Sequence, residues 1–338
     1  MIILCARGSL GLHLLKNTIA FIIMNNIFMQ MGVLFILMAA GYVCHKCKLL
    51  DHDFDRMLSS FIVKVSCPCL VLASVMGDTV PDASLVPPLI AVSIITYIVI
   101  GILSFYAGKL FSRDPDKKGQ FAFMLAFGNV SFIGYPVVDA VFGSEAIFFA
   151  SVLNFANSLF MYSVGPMIIG GRSDKNKLSI WFLFTPIMLA SYGAIAIVLL
   201  GITGIPRLIS DPLSMLGSIT VPGALLIIGS TIAQMSPRGI LGHFNIYAMC
   251  ACRLLILPFV VYFLSMLFTD SSVVVTINTV LFAMPVATSG IMFCLIAGKE
   301  ESTMAKATFI STLFAMLTIP CISTLVDVLN QIFFAAGG

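Results

Sequence analysis

Two short stretches hold most of the side chains in this sequence that could grip a ligand. The first is Gly128-Asn129-Val130-Ser131-Phe132-Ile133-Gly134-Tyr135-Pro136, and the second is Pro285-Val286-Ala287-Thr288-Ser289-Gly290. In each, glycine and proline interrupt an apolar run, with amides or hydroxyls beside the interruption. Proline removes a backbone donor and clashes with the preceding turn, and glycine loosens it further. Both stretches are therefore expected to unwind. Freed N–H groups where a helix resumes carry partial positive charge and suit a carboxylate. Asn129, Ser131, Thr288 and Ser289 add neutral donors and acceptors; Gly134, Pro136 and Pro285 mark the breaks. Asn154, Asn157 and Ser158 are expected to face the same space. A site of dipoles and amides with no fixed cation can hold an anion without trapping it.

Few other groups offer chemistry. Lys64 lies one turn before Pro68, and Arg253 lies deep in an apolar run; charges at such positions suggest function. Lys64 is read either as attracting an anion into a pathway or as reaching along its stem to the headgroups. Arg253 is too far from a loop to do so, and a buried pair or a helix-end contact is expected. Asp139 and Asp327 read as solvated helix ends. Cys44-His45-Lys46-Cys47 has metal-like spacing but lacks a second pair, and the nine cysteines suggest no disulfide framework. The four histidines lie in loops or at helix edges, and no two acids share an apolar interior. Catalysis by an acid pair, a Ser–His arrangement or a zinc motif is thus not expected. No cofactor or metal is implied, although unwound carbonyls with hydroxyls suit Na⁺, so coupling to Na⁺ or H⁺ stays open.

The elements that must position these residues follow from composition. Of 338 residues, 59% are apolar and 10% charged, and the mean hydropathy is +1.08. A soluble chain is about 25% charged, so this is an integral membrane protein, and it has no basic stripe for nucleic acid. Apolar runs long enough to span occur at about 25–44, 57–76, 84–108, 119–141, 146–169, 179–203, 212–234, 244–268, 273–297 and 303–329. Ten spans put Lys46, Lys48, Arg56, Lys109, Arg113, Lys117, Lys118, Arg172, Lys175, Lys177, Arg238, Lys299 and Lys306 on one side. Arg7, Lys16 and Arg207 fall on the other. Basic loops stay in the cytoplasm, so both termini are expected outside it. Residues 1–23 fit poorly; translation from Met24, a surface helix and an eleventh span are the three readings.

The chain also resembles itself. At an offset of 154, Asn154-Phe-Ala-Asn-Ser-Leu-Phe160 aligns with Thr308-Phe-Ile-Ser-Thr-Leu-Phe314, Pro166 with Pro320, and Pro68 with Pro222. At 155, Gly143-Ser-Glu145 aligns with Gly298-Lys-Glu300. Two five-span halves, 24–170 and 179–330, form one membrane domain. An odd number of spans per half makes the halves inverted repeats, an organisation many secondary transporters use, with broken helices in matching positions at the site.

The residues also carry a family likeness. Phe127-Gly128-Asn129-Val-Ser-Phe-Ile-Gly134-Tyr-Pro136, Phe142-Gly143 and Phe155-Ala-Asn157-Ser-Leu resemble the auxin efflux carrier family. So do Val221-Pro222-Gly-Ala-Leu-Leu, Arg253-Leu-Leu-Ile-Leu-Pro258 and Ala283-Met284-Pro285. The resemblance, over about residues 24–330, implies an all-α integral membrane fold of ten helices in two inverted five-helix repeats, similar to the bile-acid sodium symporters. In it, spans one, two, six and seven form a scaffold, and broken spans four and nine cross within a moving core. It also implies substrate contact by Asn129 and a ninth-span break at Pro285. The chain departs from the PIN-type carriers in having Gly128-Asn129 for Pro-Asn, from many relatives in having Thr185-Pro186 for Asn-Pro at the start of span six, and from the plant exporters in lacking the long cytoplasmic loop. These departures favour a short prokaryotic-type carrier of small organic anions, mono- or dicarboxylates such as malonate, malate or auxin-like acids, over one for auxin itself. The expectation is a multi-pass plasma-membrane carrier of organic anions, with substrate and lipid as partners and room for a homodimer. An ion-coupled symporter of another solute, a channel and a receptor stand as alternatives.

Overall fold

The computed structural model describes residues 29, 32–33, 35–77, 81–170, 183–234 and 244–334. Residues 1–23, and most of the Arg172–Lys177 and Arg238 loops, lie outside them. The described residues are helical, with one isolated β-bridge. In chain order the helices are α1 (Phe35–Lys46), α2 (His52–Ala73), α3 (Ala83–Phe111), α4 (Pro115–Ala126), α5 (Val130–Phe142) and α6 (Ala146–Gly170). The second half continues with α7 (Pro186–Leu199), α8 (Arg207–Gln234), α9 (Phe244–Met266), α10 (Ser272–Phe282), α11 (Ser289–Ile296) and α12 (Ser302–Phe333). Six of these, α2, α3, α6, α8, α9 and α12, are long and apolar enough to cross a membrane. The predicted fourth span is α4 plus α5, and the ninth is α10 plus α11.

Local chemistry explains the boundaries. Asp51 caps α2 by accepting from the Phe54 N–H at 2.8 Å. Pro186 opens α7, and Pro87 and Pro88 open the α-helical run of α3 that begins at Val86 after a 3-10 turn, positions where a missing N–H is tolerated. Gly143 ends α5 and Gly298 follows α11, both with left-handed backbone (φ +84° and +66°) that suits glycine. Inside three helices a π turn ends two residues before a proline: Ile62–Ser66 before Pro68, Val130–Gly134 before Pro136, and Cys252–Ile256 before Pro258. The wider turn accommodates a residue that cannot donate and whose ring crowds the preceding carbonyls.

The helices pack in two groups. The second half of α2 lies on α7 and α8, and α1 meets α8 through a pair of small residues. A Cβ at Gly41 would strike the Leu226 carbonyl, and one at Gly229 the Met38 carbonyl. Between helices in lipid there is little hydrophobic drive, so such close backbone approach is what holds them. Ser66 Oγ and Thr220 Oγ1, 154 residues apart, meet at 2.6 Å between α2 and α8. In the other group α3 packs on α4 and α6, α9 on α10 and α12, and α10 on α6 and α12. Tyr97, Phe127 and Phe282 form its aromatic centre, with Tyr97 and Phe282 at 4.7 Å. Outward faces are apolar, as on α3 at Ile98, Ile102, Phe105 and Leu110. Lys109 closes that face with its ammonium 4.8 Å from the Phe105 and Tyr106 rings.

Candidate functional site at the helix crossover

The two interrupted spans meet at their interruptions. Between α4 and α5 and between α10 and α11 the chain is extended, and the two segments run antiparallel with Gly128 opposite Val286. The Asn129 N–H donates to the Pro285 carbonyl at 2.8 Å, and the Ala287 N–H to the Phe127 carbonyl at 3.2 Å. Each break thus satisfies backbone groups that the other has released, which irregular backbone at membrane depth requires. Ser311 on α12 accepts from the Val286 N–H at 3.0 Å. The Asn129 carbonyl accepts from Ile133 and Gly134, starting the first turn of α5.

Beside the crossover is a cavity of about 480 Å³, within the usual range for small-molecule sites. Of the candidate residues, Asn129, Ser131, Asn157, Ser158, Thr288 and Ser289 line it. Four further candidates stand back from it. Asn154 lies behind, donating to Ser131 Oγ at 3.0 Å and Tyr135 Oη at 3.1 Å and accepting from Asn157 at 2.9 Å. Gly134 packs against Leu281 and Met284. Pro136 is buried after the π turn of α5. Pro285 lines instead a smaller apolar void of about 40 Å³ on the far side of α5.

Several lining residues escaped the sequence reading: Ser59 and Val63 on α2, Thr185 and Ile187 at the start of α7, Thr231 on α8, and Thr308 and Thr312 on α12. A signal for the last two was present. Thr308 and Thr312 are the partners of Asn154 and Ser158 at the offset of 154. Single hydroxyls in unbroken helices give no comparable sign. The lining has no Asp, Glu, Lys, Arg or His among the described residues. Two buried polar atoms in its wall have no hydrogen-bond partner, Asn157 Oδ1 and Thr308 Oγ1. Because amide orientation is assigned from the network, reversing the Tyr135–Asn154–Asn157 relay would turn the Asn157 NH₂ to the cavity instead.

Of the two intramembrane cations, Lys64 is exposed in the π turn of α2 and is not part of the cavity wall; its neighbour Val63 is. Arg253 is 1% exposed. Its Nε donates to the Met284 carbonyl at 3.1 Å, and its Nη1 to the Leu125 carbonyl. This is the helix-end contact expected of it, made to two helices at once. Gly128 leaves room for the guanidinium, since a Cβ there would strike Nη2. In the Cys44–Cys47 segment both thiols are free, and no group of metal ligands forms among the described residues.

A multi-pass helical membrane protein with a cavity beside broken, crossing helices has the architecture expected of a solute transporter. A family model described as membrane transport protein matches residues 26–182 and again residues 177–323. The chain belongs to this family, the auxin efflux carrier family whose motifs it carries. It is similar to an uncharacterized transporter of Methanocaldococcus jannaschii, 24% identical over 85% of this chain and 94% of the relative. It is also similar to an uncharacterized transporter of Methanothermobacter thermautotrophicus, 21% identical over 84% of this chain and 93% of that one.

Proposed function

We propose that the chain is a secondary transporter of small organic anions, mono- or dicarboxylates, working by alternating access. The observation that carries this reading is the cavity wall. The N-termini of α5 and α11 both border it, Asn129 and Ser131 at one and Thr288 and Ser289 at the other. Two helix N-termini with neutral amides and hydroxyls favour a carboxylate, and the described wall has no acid to repel one. The unpartnered Asn157 and Thr308 atoms give a ligand or water further bonds to complete.

The proposal includes ten spans in two inverted five-helix repeats, 24–170 and 179–330. The Ser66–Thr220 contact at an offset of 154, the left-handed Gly143 and Gly298, and the mutual pairing of the two breaks support it. It also includes a plasma-membrane location with both termini outside, supported by the distribution of Lys and Arg. With that orientation Ser59, Thr185, Thr231 and Ala305 lie at the cytoplasmic ends of their helices, so the cavity faces inward.

Flux of labelled malonate, malate and indole-3-acetate into proteoliposomes is the test, with and without Na⁺ and pH gradients. Saturable flux of at least one acid, lost on Asn129→Ala, is expected. Absence of saturable flux for every acid, with no effect of Asn129→Ala, refutes the reading. Dependence on either gradient identifies the coupling ion. Labelling of Cys47 from the cytoplasmic side only, by a membrane-impermeant maleimide, is the expected result for the orientation.

A further inference from the structure

A break in a helix creates two ends of opposite sign. At this crossover four ends meet: the C-termini of α4 and α10, which carry partial negative charge, and the N-termini of α5 and α11, which carry partial positive charge. Left to themselves they would largely cancel, and the cavity would have little preference for either sign of ligand. Arg253 changes the balance. Its guanidinium binds the Leu125 carbonyl in the last turn of α4 and the Met284 carbonyl just beyond α10. Both negative ends are therefore engaged by one full positive charge, and that charge is absent from the cavity wall. Burial at 1% exposure keeps water from screening it. Its hydrogen-bond partners are two backbone carbonyls, which quench it only in part.

We infer that Arg253 sets the anion preference of the crossover site without touching the ligand, by masking the C-termini of α4 and α10 and leaving the N-termini of α5 and α11 unopposed. The inference deepens the organic-anion reading and rests on it for its biological meaning. Arg253 is a positioning and selectivity residue here, and Gly128 is its accomplice: a side chain at 128 would displace the guanidinium.

The test reads local potential rather than transport, so its failure is separable from failure of the flux experiment. Cysteine replaces Thr288, which is exposed to the cavity beside the start of α11, in a chain whose half-buried Cys44 and exposed Cys47 and Cys321 are serine. The rate of modification is measured with an anionic reagent, sulfonatoethyl methanethiosulfonate, and a cationic one, trimethylammonioethyl methanethiosulfonate. In each case the thiolate attacks the reagent's sulfenyl sulfur, forms a disulfide and releases methanesulfinate. The chain without the introduced cysteine is the blank, and Ser59→Cys on α2, away from the breaks, is the reference position. The anion-to-cation rate ratio at 288 is expected to exceed that at 59 by at least about tenfold. Arg253→Gln should bring it close to the reference, and Arg253→Lys should keep most of it. Equal loss in the Gln and Lys variants would show a structural role only and overturn the inference, as would no loss in Gln. Because Gln leaves two carbonyls unpaired and can fail to fold, Cys250→Asp supplies a second variant. Cys250 precedes Arg253 by three residues on α9, about one helical turn, so an acid there is placed to neutralise the guanidinium. A ratio unchanged by Cys250→Asp, or a wild-type ratio at 288 no higher than at 59, also overturns it.

Discussion

Replacing Asn154 by alanine tests whether the wall of the cavity is held from behind. Asn154 is 3% exposed and joins Ser131, Tyr135 and Asn157 through three hydrogen bonds of 2.9–3.1 Å. Side-chain hydrogen bonds between membrane helices average about 0.6 kcal/mol in double-mutant cycles, so three come to about 2 kcal/mol. Ser131 and Asn157 border the cavity and water can repair their loss, but Tyr135 is fully buried. A buried hydroxyl deprived of its partner adds about 1–3 kcal/mol. The expected destabilisation is therefore about 3–5 kcal/mol, read by detergent-titrated unfolding followed by circular dichroism. Tyr135→Phe alone should cost about 1 kcal/mol or less, since it removes one bond and leaves no orphan on the ring. The double variant Asn154→Ala/Tyr135→Phe should then be more stable than Asn154→Ala by about 1–2 kcal/mol, because the stranded hydroxyl is gone. Strict additivity of the two single effects would refute the reasoning. In the functional assay Asn154→Ala should weaken substrate affinity, since Ser131 and Asn157 lose the partner that orients them.

Three further outcomes follow from close contacts. Gly229→Ala should destabilise by about 1–3 kcal/mol, because its Cβ would strike the α1 backbone at Met38, whereas Gly101→Ala, with nothing within 4 Å, should be neutral or slightly stabilising in the same unfolding assay. Ser311→Ala should lose about 1–2 kcal/mol by stranding the Val286 N–H, and Ser311→Thr, which keeps the hydroxyl, should retain most of the stability. A disulfide between Phe35→Cys on α1 and Met316→Cys on α12, which share the small apolar void, should arrest flux until reduced. A disulfide between Ser66→Cys and Thr220→Cys, within the α1, α2, α7 and α8 group, should leave flux largely intact; equal arrest by both would contradict relative motion of the groups.

What the sequence made visible was whatever broke the apolar pattern. Gly128, Asn129 and Pro285 stand out because each interrupts an apolar run, and the two segments that hold them pair with each other. The consequences of proline were harder to place. Pro136 was assigned to the break, yet the π turn Val130–Gly134 absorbs it and the chain unwinds earlier, at residues 127–129. Asn154 was expected to face the same space as Asn157, but residues three apart point about 60° away from each other around the helix, enough here to put Asn157 at the wall and Asn154 behind it. For Arg253 depth was legible but the partners were not, because they are backbone carbonyls, and every residue has one. Thr185 and Thr231 enter the site only because helices distant in sequence converge there.

The distribution of polar links bears on how such a molecule could move. Ser66–Thr220, His45–Ser230 and Asp55–Ser230 tie α1, α2 and α8 to one another. Arg253, Ser311 and the Asn278 amide, which donates to Thr96 and Ser265, tie α3, α4, α9, α10 and α12 together. Between the groups the far side of the crossover is an apolar seam, with Phe35, Met38, Leu225 and Ile228 against Ile133, Val137, Met316 and Ile319 around the 40 Å³ void. The sulfhydryl of Cys67 reaches the Ser131 carbonyl at 3.8 Å, a weak link across that boundary. Directional bonds resist sliding, whereas apolar contact of this kind can be remade at another register for the difference in packing alone. Bonds within the groups and grease between them is the arrangement that lets each group travel as a rigid body. The polar cavity at the crossover would then travel with the helices whose breaks create it.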